Sequence, residues 1–177
     1  ALPSSAWGKK YLTVPTSKMP MNVYRVAVSD SNAVVKLNGQ PIQVTSPLIN
    51  HFYYEFSSNQ PNAIESDLPI MVAEYMTTTG SYGNNNNGNG DPEMIYLSPI
   101  EQTINKVTIN STPYAFIVDS LHYVNVVIPK GGVSSLKIDG ISPTNPIAHP
   151  GDTNYVYYQA NLKAGSHTIV SDSGFNR

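Results

Sequence analysis

The sequence predicts an all-β protein, a β-sandwich or jelly-roll-like arrangement, on three observations. Short segments of alternating apolar and polar residues recur about every 8 to 12 positions, separated by Gly, Pro, Asn and Asp turn signals. No segment carries a helical apolar period over a useful length. The two halves also repeat a local pattern, as two related β-units would.

Taken in order, Ala1 to Trp7 reads as an extended arm and Lys10 to Val14 as a first strand stopped by Pro15. In Asn22 to Val28, Tyr24, Val26 and Val28 share one face and Arg25 takes the other, the period of a strand. Ala33 to Leu37 is a second such run, and it ends in Asn38-Gly39, the dipeptide favoured by type I′ hairpin turns. Pro41 to Val44 is expected to continue as a short strand. In His51 to Phe56, Phe52, Tyr54 and Phe56 are expected to face inward, and Ser57 to Asp67 reads as a loop. Leu68 to Met76 is an apolar, β-branched run suited to a central strand buried on both faces. Beyond an Asn-rich stretch, strands are expected at Met94 to Leu97, Thr103 to Ile109, Tyr114 to Val118, His122 to Ile128, Tyr155 to Gln159 and Ser166 to Val170. Pro99 to Gln102 reads as a turn, and Ser142 to Pro150 as a Pro-rich crossing.

Val35-Lys36-Leu37-Asn38-Gly39 returns 101 positions later as Leu136-Lys137-Ile138-Asp139-Gly140. A paired-tyrosine strand follows each, Tyr53-Tyr54 and Tyr157-Tyr158. We therefore read 1–177 as a single module with an internal repeat, 23–76 and 123–172, joined through 81–102. In this reading Asp91, Met94, Leu97, Glu101 and Gln102 form a structural latch. Met94, Ile95 and Leu97 divide between the cores of the two halves, and Asp91 and Glu101 accept backbone N–H bonds.

The formal charge of -2, with 12% charged residues, supplies no basic stripe for a phosphate backbone, so nucleic acid is not an expected partner. The absence of cysteine removes disulfides, thiol catalysis and Cys-ligated zinc. No run reaches the roughly 18 apolar residues of a spanning helix, so membrane insertion is not expected. Surface polarity rests on Asn, Ser, Thr, Gln and Tyr, a composition associated with secreted and cell-surface β-proteins. The Met-less start at Ala1 fits a processed or truncated product.

Three chemistries compete. Asp91, Glu93 and Glu101 are the best clustered acids, and a glycosidase needs two carboxylates about 5 to 10 Å apart; acids satisfying backbone donors explain the cluster more simply. None of His51, His122, His149 and His167 sits in a recognised metal spacing, and no nucleophile-elbow motif is present. Calcium is the stronger chemical option, because Asn87, Asn89, Asp91 and Glu93 offer oxygens on one loop, although the EF-hand pattern is missing. The twelve tyrosines fit cross-strand packing, and the outward-facing Tyr53, Tyr155 and Tyr157 are the candidates for a ligand-binding face.

One family brings many of these segments together. Trp7-Gly8-x-x-Tyr11, Val23-Tyr24-Arg25-Val26-Ala27, Ser66-Asp67-Leu68-Pro69-Ile70, Gly90-Asp91-Pro92-Glu93-Met94, Leu97-Ser98-Pro99-Ile100-Glu101-Gln102, Tyr123 to Val127, Ile138-Asp139-Gly140 and Gly165-Ser166-His167 resemble the IgGFc-binding protein N-terminal domain family, in its bacterial, Bacteroidetes-type branch. The resemblance spans nearly the whole chain, and the central Gly-Asp-Pro-x-Met … Pro-x-Glu-Gln segment is its most specific part. It implies a domain of large secreted or surface-attached proteins, often beside adhesion-type repeats, with no established enzymatic activity and no agreed set of binding residues. Family domains usually run on past Gly174-Phe175-Asn176, so the end at Arg177 implies a fragment of a larger secreted protein, or an open edge that pairs with another chain.

The function expected from sequence is therefore a non-catalytic extracellular binding or adhesion module whose partner is a protein or glycan on a cell or matrix surface. The alternatives are a carbohydrate-binding module of a secreted polysaccharide-degrading protein and a structural subunit of a surface fibre. No cofactor is expected other than calcium.

Overall fold

The computed structural model describes residues 2–77, 93–112 and 122–176. The chain is all-β and divides into two compact units, Ala1–Gln102 and Thr103–Arg177.

In the first unit a 3-10 turn at Ser4–Ala6 precedes β1 (Gly8–Thr13), β2 (Asn22–Val28), β3 (Val35–Leu37), β4 (Gln40–Pro41), β5 (Tyr53–Ser58), β6 (Asn62–Met76) and β7 (Met94–Tyr96). All seven strands join one antiparallel sheet organised on β6. The first half of β6 is flanked by β3 and β1, with Glu65 facing both Lys36 and Lys10. Its second half is flanked by β2, with β5 beyond, and by β7. The apolar run from Leu68 is the centre of this strand, as its composition dictates. β6 nevertheless begins at Asn62, inside the segment expected to be a loop. Polar residues there close a tight turn: the Asn62 amide donates to Ser58 Oγ at 3.0 Å and to the Gln60 carbonyl at 2.6 Å.

Alternation along the strands sets the core. Tyr24, Val26 and Val28 of β2, Tyr54 of β5, and Ile64, Ile70 and Val72 of β6 pack with Tyr11, Val35 and Ile42, and Leu97 packs against their edge. Phe52 departs from the expected inward position and is 50% exposed. The backbone turns there, with positive φ at Asn50 and His51, and β5 starts only at Tyr53. Ile42–Val44 is a 3-10 turn rather than the expected strand, because the Thr45 and Ser46 N–H groups both bond the Ile42 carbonyl. That turn buries Ile42 completely.

The second unit contains β8 (Ile104–Ser111), β9 (His122–Pro129), a 3-10 segment Lys130–Ser135, β10 (Lys137–Ile138), β11 (Ile147–Ala148), β12 (Tyr155–Leu162) and β13 (Gly165–Phe175). These form two three-stranded sheets, β10-β13-β8 and β11-β12-β9. The Pro-rich crossing supplies β11. The strand expected at Tyr114 to Val118 lies outside the described residues. Val124, Val126, Ile128, Leu136, Val156, Tyr158, Leu162, Ile169 and Phe175 make the core.

Strand registers in the two units run in parallel. Val26 faces Tyr54 across β2 and β5, and Val126 faces Tyr158 across β9 and β12. Leu37 faces Ile64 across β3 and β6, and Ile138 faces Ile169 across β10 and β13. Ala27 pairs with Met71, and Val127 with Asn176. Asn38-Gly39 and Asp139-Gly140 both take positive φ at both positions, 51° and 81° in one, 53° and 79° in the other. That is the conformation of a two-residue type I′ hairpin.

Candidate functional site

β2, β5 and β6 turn their even-numbered apolar residues to the core, so their odd-numbered residues share the opposite face. On it Glu55 of β5 stands beside Arg25 of β2, Tyr53 lies one pair along, and Tyr75 projects from β6. Arg25 Nε donates to Glu55 Oε2 at 2.6 Å, and the guanidinium carbon lies 5.2 Å from the Tyr53 ring centroid and 5.0 Å from that of Tyr75. This is cation–π distance to both rings. The side chains of Arg25 and Glu55 remain 46% and 36% exposed. β7 extends the face, placing Met94 opposite Tyr75 and Tyr96 opposite Ala73. Beneath it Tyr24 and Phe56 stack at 5.1 Å, which stiffens the two strands that carry Arg25 and Tyr53.

Of the tyrosines expected on a binding face, Tyr53 is thus joined to Arg25. Tyr157 holds the register position in the second unit that Tyr53 holds in the first: Tyr157 faces Val127, and Tyr53 faces Ala27. Its ring meets His149 edge-on at 6.1 Å. Tyr155 faces Pro129 at the start of β12. Where the first unit has the Arg25–Glu55 ion pair, the second has Gln159 Nε2 donating to Asn125 Oδ1 at 3.2 Å. Alternation alone placed Arg25 outward, but only the β2–β5 register reveals its partners, and Tyr75 lay hidden in a run read as wholly buried.

The segment 93–102 fastens to the first unit's own strands. Met76 N–H bonds the Glu93 carbonyl, Leu97 N–H that of Val72, and Ile100 N–H that of Lys10, each at 2.9 Å. Glu101 Oε1 accepts the Lys9 N–H at 3.1 Å, and the Gln102 amide reaches the Ser5 carbonyl at 3.4 Å. Leu97 enters the first core. Met94 and Ile95 do not divide between two cores: they are 46% and 40% exposed, because β7 is a short strand at the edge of the sheet. The Glu101 bond is at the surface, so Glu101→Ala should cost about 1 kcal/mol, a melting shift of about 5 °C, and Glu101→Gln should recover most of it; differential scanning calorimetry reads both. Asn87, Asn89 and Asp91 lie outside the described residues, and the Glu93 side chain is exposed. Among the described residues no three His, Asp or Glu side chains gather as a metal site.

Among the described residues one carboxyl group is buried. Glu74 of β6 is 3% exposed and its Oε1 accepts the Tyr24 hydroxyl at 3.1 Å. Desolvation pushes its pKa up to about 7, against the Tyr24 hydroxyl and a Thr16 backbone bond that favour the charged form. Burial and the neighbouring Glu74 in turn drive the Tyr24 hydroxyl far above its ordinary range.

A family model described as IgGFc binding protein matches residues 1–177, the whole chain. The chain belongs to the IgGFc-binding family. No curated protein and no solved structure matches it. In this member of the IgGFc-binding family Arg25 is exposed and Tyr53 and Tyr75 are half-buried, and no described helix is long and apolar enough to cross a membrane.

Proposed function

We propose that the chain is a non-catalytic, extracellular protein-binding module with an adhesive role, built from two copies of one β-unit. Its primary contact surface is the outer face of β2, β5, β6 and β7. The observation that carries this reading is Arg25, held by Glu55 between Tyr53 and Tyr75 on a rigid sheet and still exposed. Tyr and Arg dominate binding hot spots because they bring large, pre-oriented contact area at low entropic cost. Family membership supports the same reading. The guanidinium lies against the Tyr53 and Tyr75 rings, an arrangement that suits a peptide surface better than the bare ring platform on which a sugar stacks.

Surface plasmon resonance with the immobilised chain tests this. The probes are a purified IgG Fc fragment, purified matrix and mucosal glycoproteins with their enzymatically deglycosylated forms, and a glycan array run in parallel. Retention of at least one protein in both glycosylated and deglycosylated form is expected. Retention on glycans alone, or of no protein probe, would overturn the reading, the former in favour of a carbohydrate-binding module.

A further inference from the structure

The two type I′ turns are fastened to the sheet in the same way but with different chemistry. In the first unit Asn38 donates its N–H to the Ala63 carbonyl at 2.8 Å and accepts the Ala63 N–H on Oδ1 at 2.9 Å, while its amide donates to Asn62 Oδ1 at 2.9 Å. In the second unit Asp139 donates its N–H to the Thr168 carbonyl and accepts the Thr168 N–H on Oδ1, both at 2.8 Å. Its Oδ2 meets His167 Nδ1 at 2.6 Å, and His167 Nε2 meets the Lys163 carbonyl at 2.7 Å. Asp139 and His167 therefore stand where Asn38 and Asn62 stand.

Both partners of the His167 ring accept hydrogen bonds: one is a carboxylate oxygen, the other a carbonyl. A neutral imidazole has one N–H and would leave the second nitrogen lone pair against an oxygen lone pair. Only the imidazolium satisfies both contacts. We propose that Asp139 and His167 form a proton-dependent clamp, fastening the Ile138–Ile141 hairpin to β13 and to the turn at Lys163, that loosens when the His167 ring gives up its second proton, while the Asn38–Asn62 clamp does not respond to pH.

The surroundings agree. The Asp139 carboxylate, and then the Lys163 carbonyl, hold the His167 pKa above its ordinary 6.5, and burial opposes them only in part. His167 and the Thr168 N–H hold Asp139 below its ordinary range. From β8 the residue opposite His167 is Ile109, which carries no charge, and the nearest cations on the flanking strands, Lys106 and Lys137, are in register with Val170. The His167 side chain is 11% exposed, which limits competition from water. A raised His167 pKa stabilises the folded unit fully below pH 6.5, and this contribution is lost as pH rises through the folded value. The lowered Asp139 pKa works above 3.8 and is lost as pH falls through its own folded value. The clamp is thus tightest from about pH 4 to 6.5.

Long-range ¹H–¹⁵N correlation of the histidine rings in the full chain, titrated from pH 5 to 10, tests the clamp. Expected are both His167 nitrogens protonated at pH 6, a titration midpoint above 6.5, and Thr168 and Asp139 amide protection factors that fall through the same transition. A single-tautomer neutral ring at pH 6, or a midpoint at or below 6.5, would overturn it. A second arm, Asp139→Asn with His167→Asn, writes the first unit's pair into the second and should leave Thr168 protection independent of pH. Persistent pH dependence in that variant would equally contradict the clamp; should the variant not fold, the ring titration of the native chain decides alone.

Discussion

Glu74→Gln is expected to abolish a loss of about 3 kcal/mol that the native first unit suffers between about pH 4.5 and 7. The folded pKa is raised, so the folded unit binds a proton that the unfolded chain has already released. The contribution of Glu74 to stability is full below pH 4.5 and is lost as pH rises through about 7. Replacing carboxyl by amide removes the titration. Whatever the amide costs in hydrogen bonding to Tyr24 and Thr16 is the same at pH 5 and pH 8, so the difference between the two isolates the ionisation. Urea unfolding followed by the fluorescence of Trp7, the single tryptophan, reads the first unit directly. A variant whose pH dependence matches the native chain would show that Glu74 is ionised in the folded state without cost.

Gly8→Ala is expected to destabilise the first unit by about 3 kcal/mol. A Cβ at Gly8 would collide with the ring of Pro99, which is buried, and would crowd Glu101. Overpacking of this kind costs about 1–3 kcal/mol. The strand cannot move aside freely, because Gly8 N–H donates to the Tyr11 hydroxyl at 3.1 Å and that hydroxyl donates to the Ile70 carbonyl at 2.7 Å. Breaking this buried relay adds about 1–3 kcal/mol. Relief of the clash by Pro99→Gly in the same chain should return a measurable part of the loss, a coupling that a double-mutant cycle resolves. An alanine variant of native stability would mean that the 93–102 segment does not dock on β1.

Much of the fold was legible because alternation is a local signal. Tyr24, Val26 and Val28 inward with Arg25 outward, the hairpin at Asn38-Gly39, and the centre of β6 all follow from period and turn chemistry. Phe52 was misplaced because two left-handed residues reset the phase just before β5, and nothing in Asn50-His51 announces that. The Ser57 to Asp67 segment was misread because polar residues that seal a turn look like residues of a loop. Met94 and Ile95 were assigned to cores on hydrophobicity, which cannot tell an edge strand from a central one. Glu74 carried a usable signal: a lone acid inside Leu68 to Met76, a run read as buried on both faces, must be paired or neutral.

The candidate site was legible only in part, because a binding face depends on register. Tyr53 and Tyr157 could be chosen as outward-facing tyrosines, but their similar pairings in the two units, and the meeting of Arg25 with Glu55, Tyr53 and Tyr75, depend on which residues face each other across strands far apart in sequence. The clamp at Asp139 and His167 is another long-range pairing, although the matching Leu37-Asn38-Gly39 and Ile138-Asp139-Gly140 segments pointed to its place.

The outer face of the first unit is the surface proposed to bind. Its direct test is the affinity of Arg25→Ala and Tyr53→Ala for the purified protein that the native chain retains, with Gln159→Ala, on the corresponding face of the second unit, as the control. A loss of about tenfold or more in each of the first two variants, with native melting behaviour and little change in the control, is the predicted result. Native affinity in folded Arg25→Ala and Tyr53→Ala would contradict it.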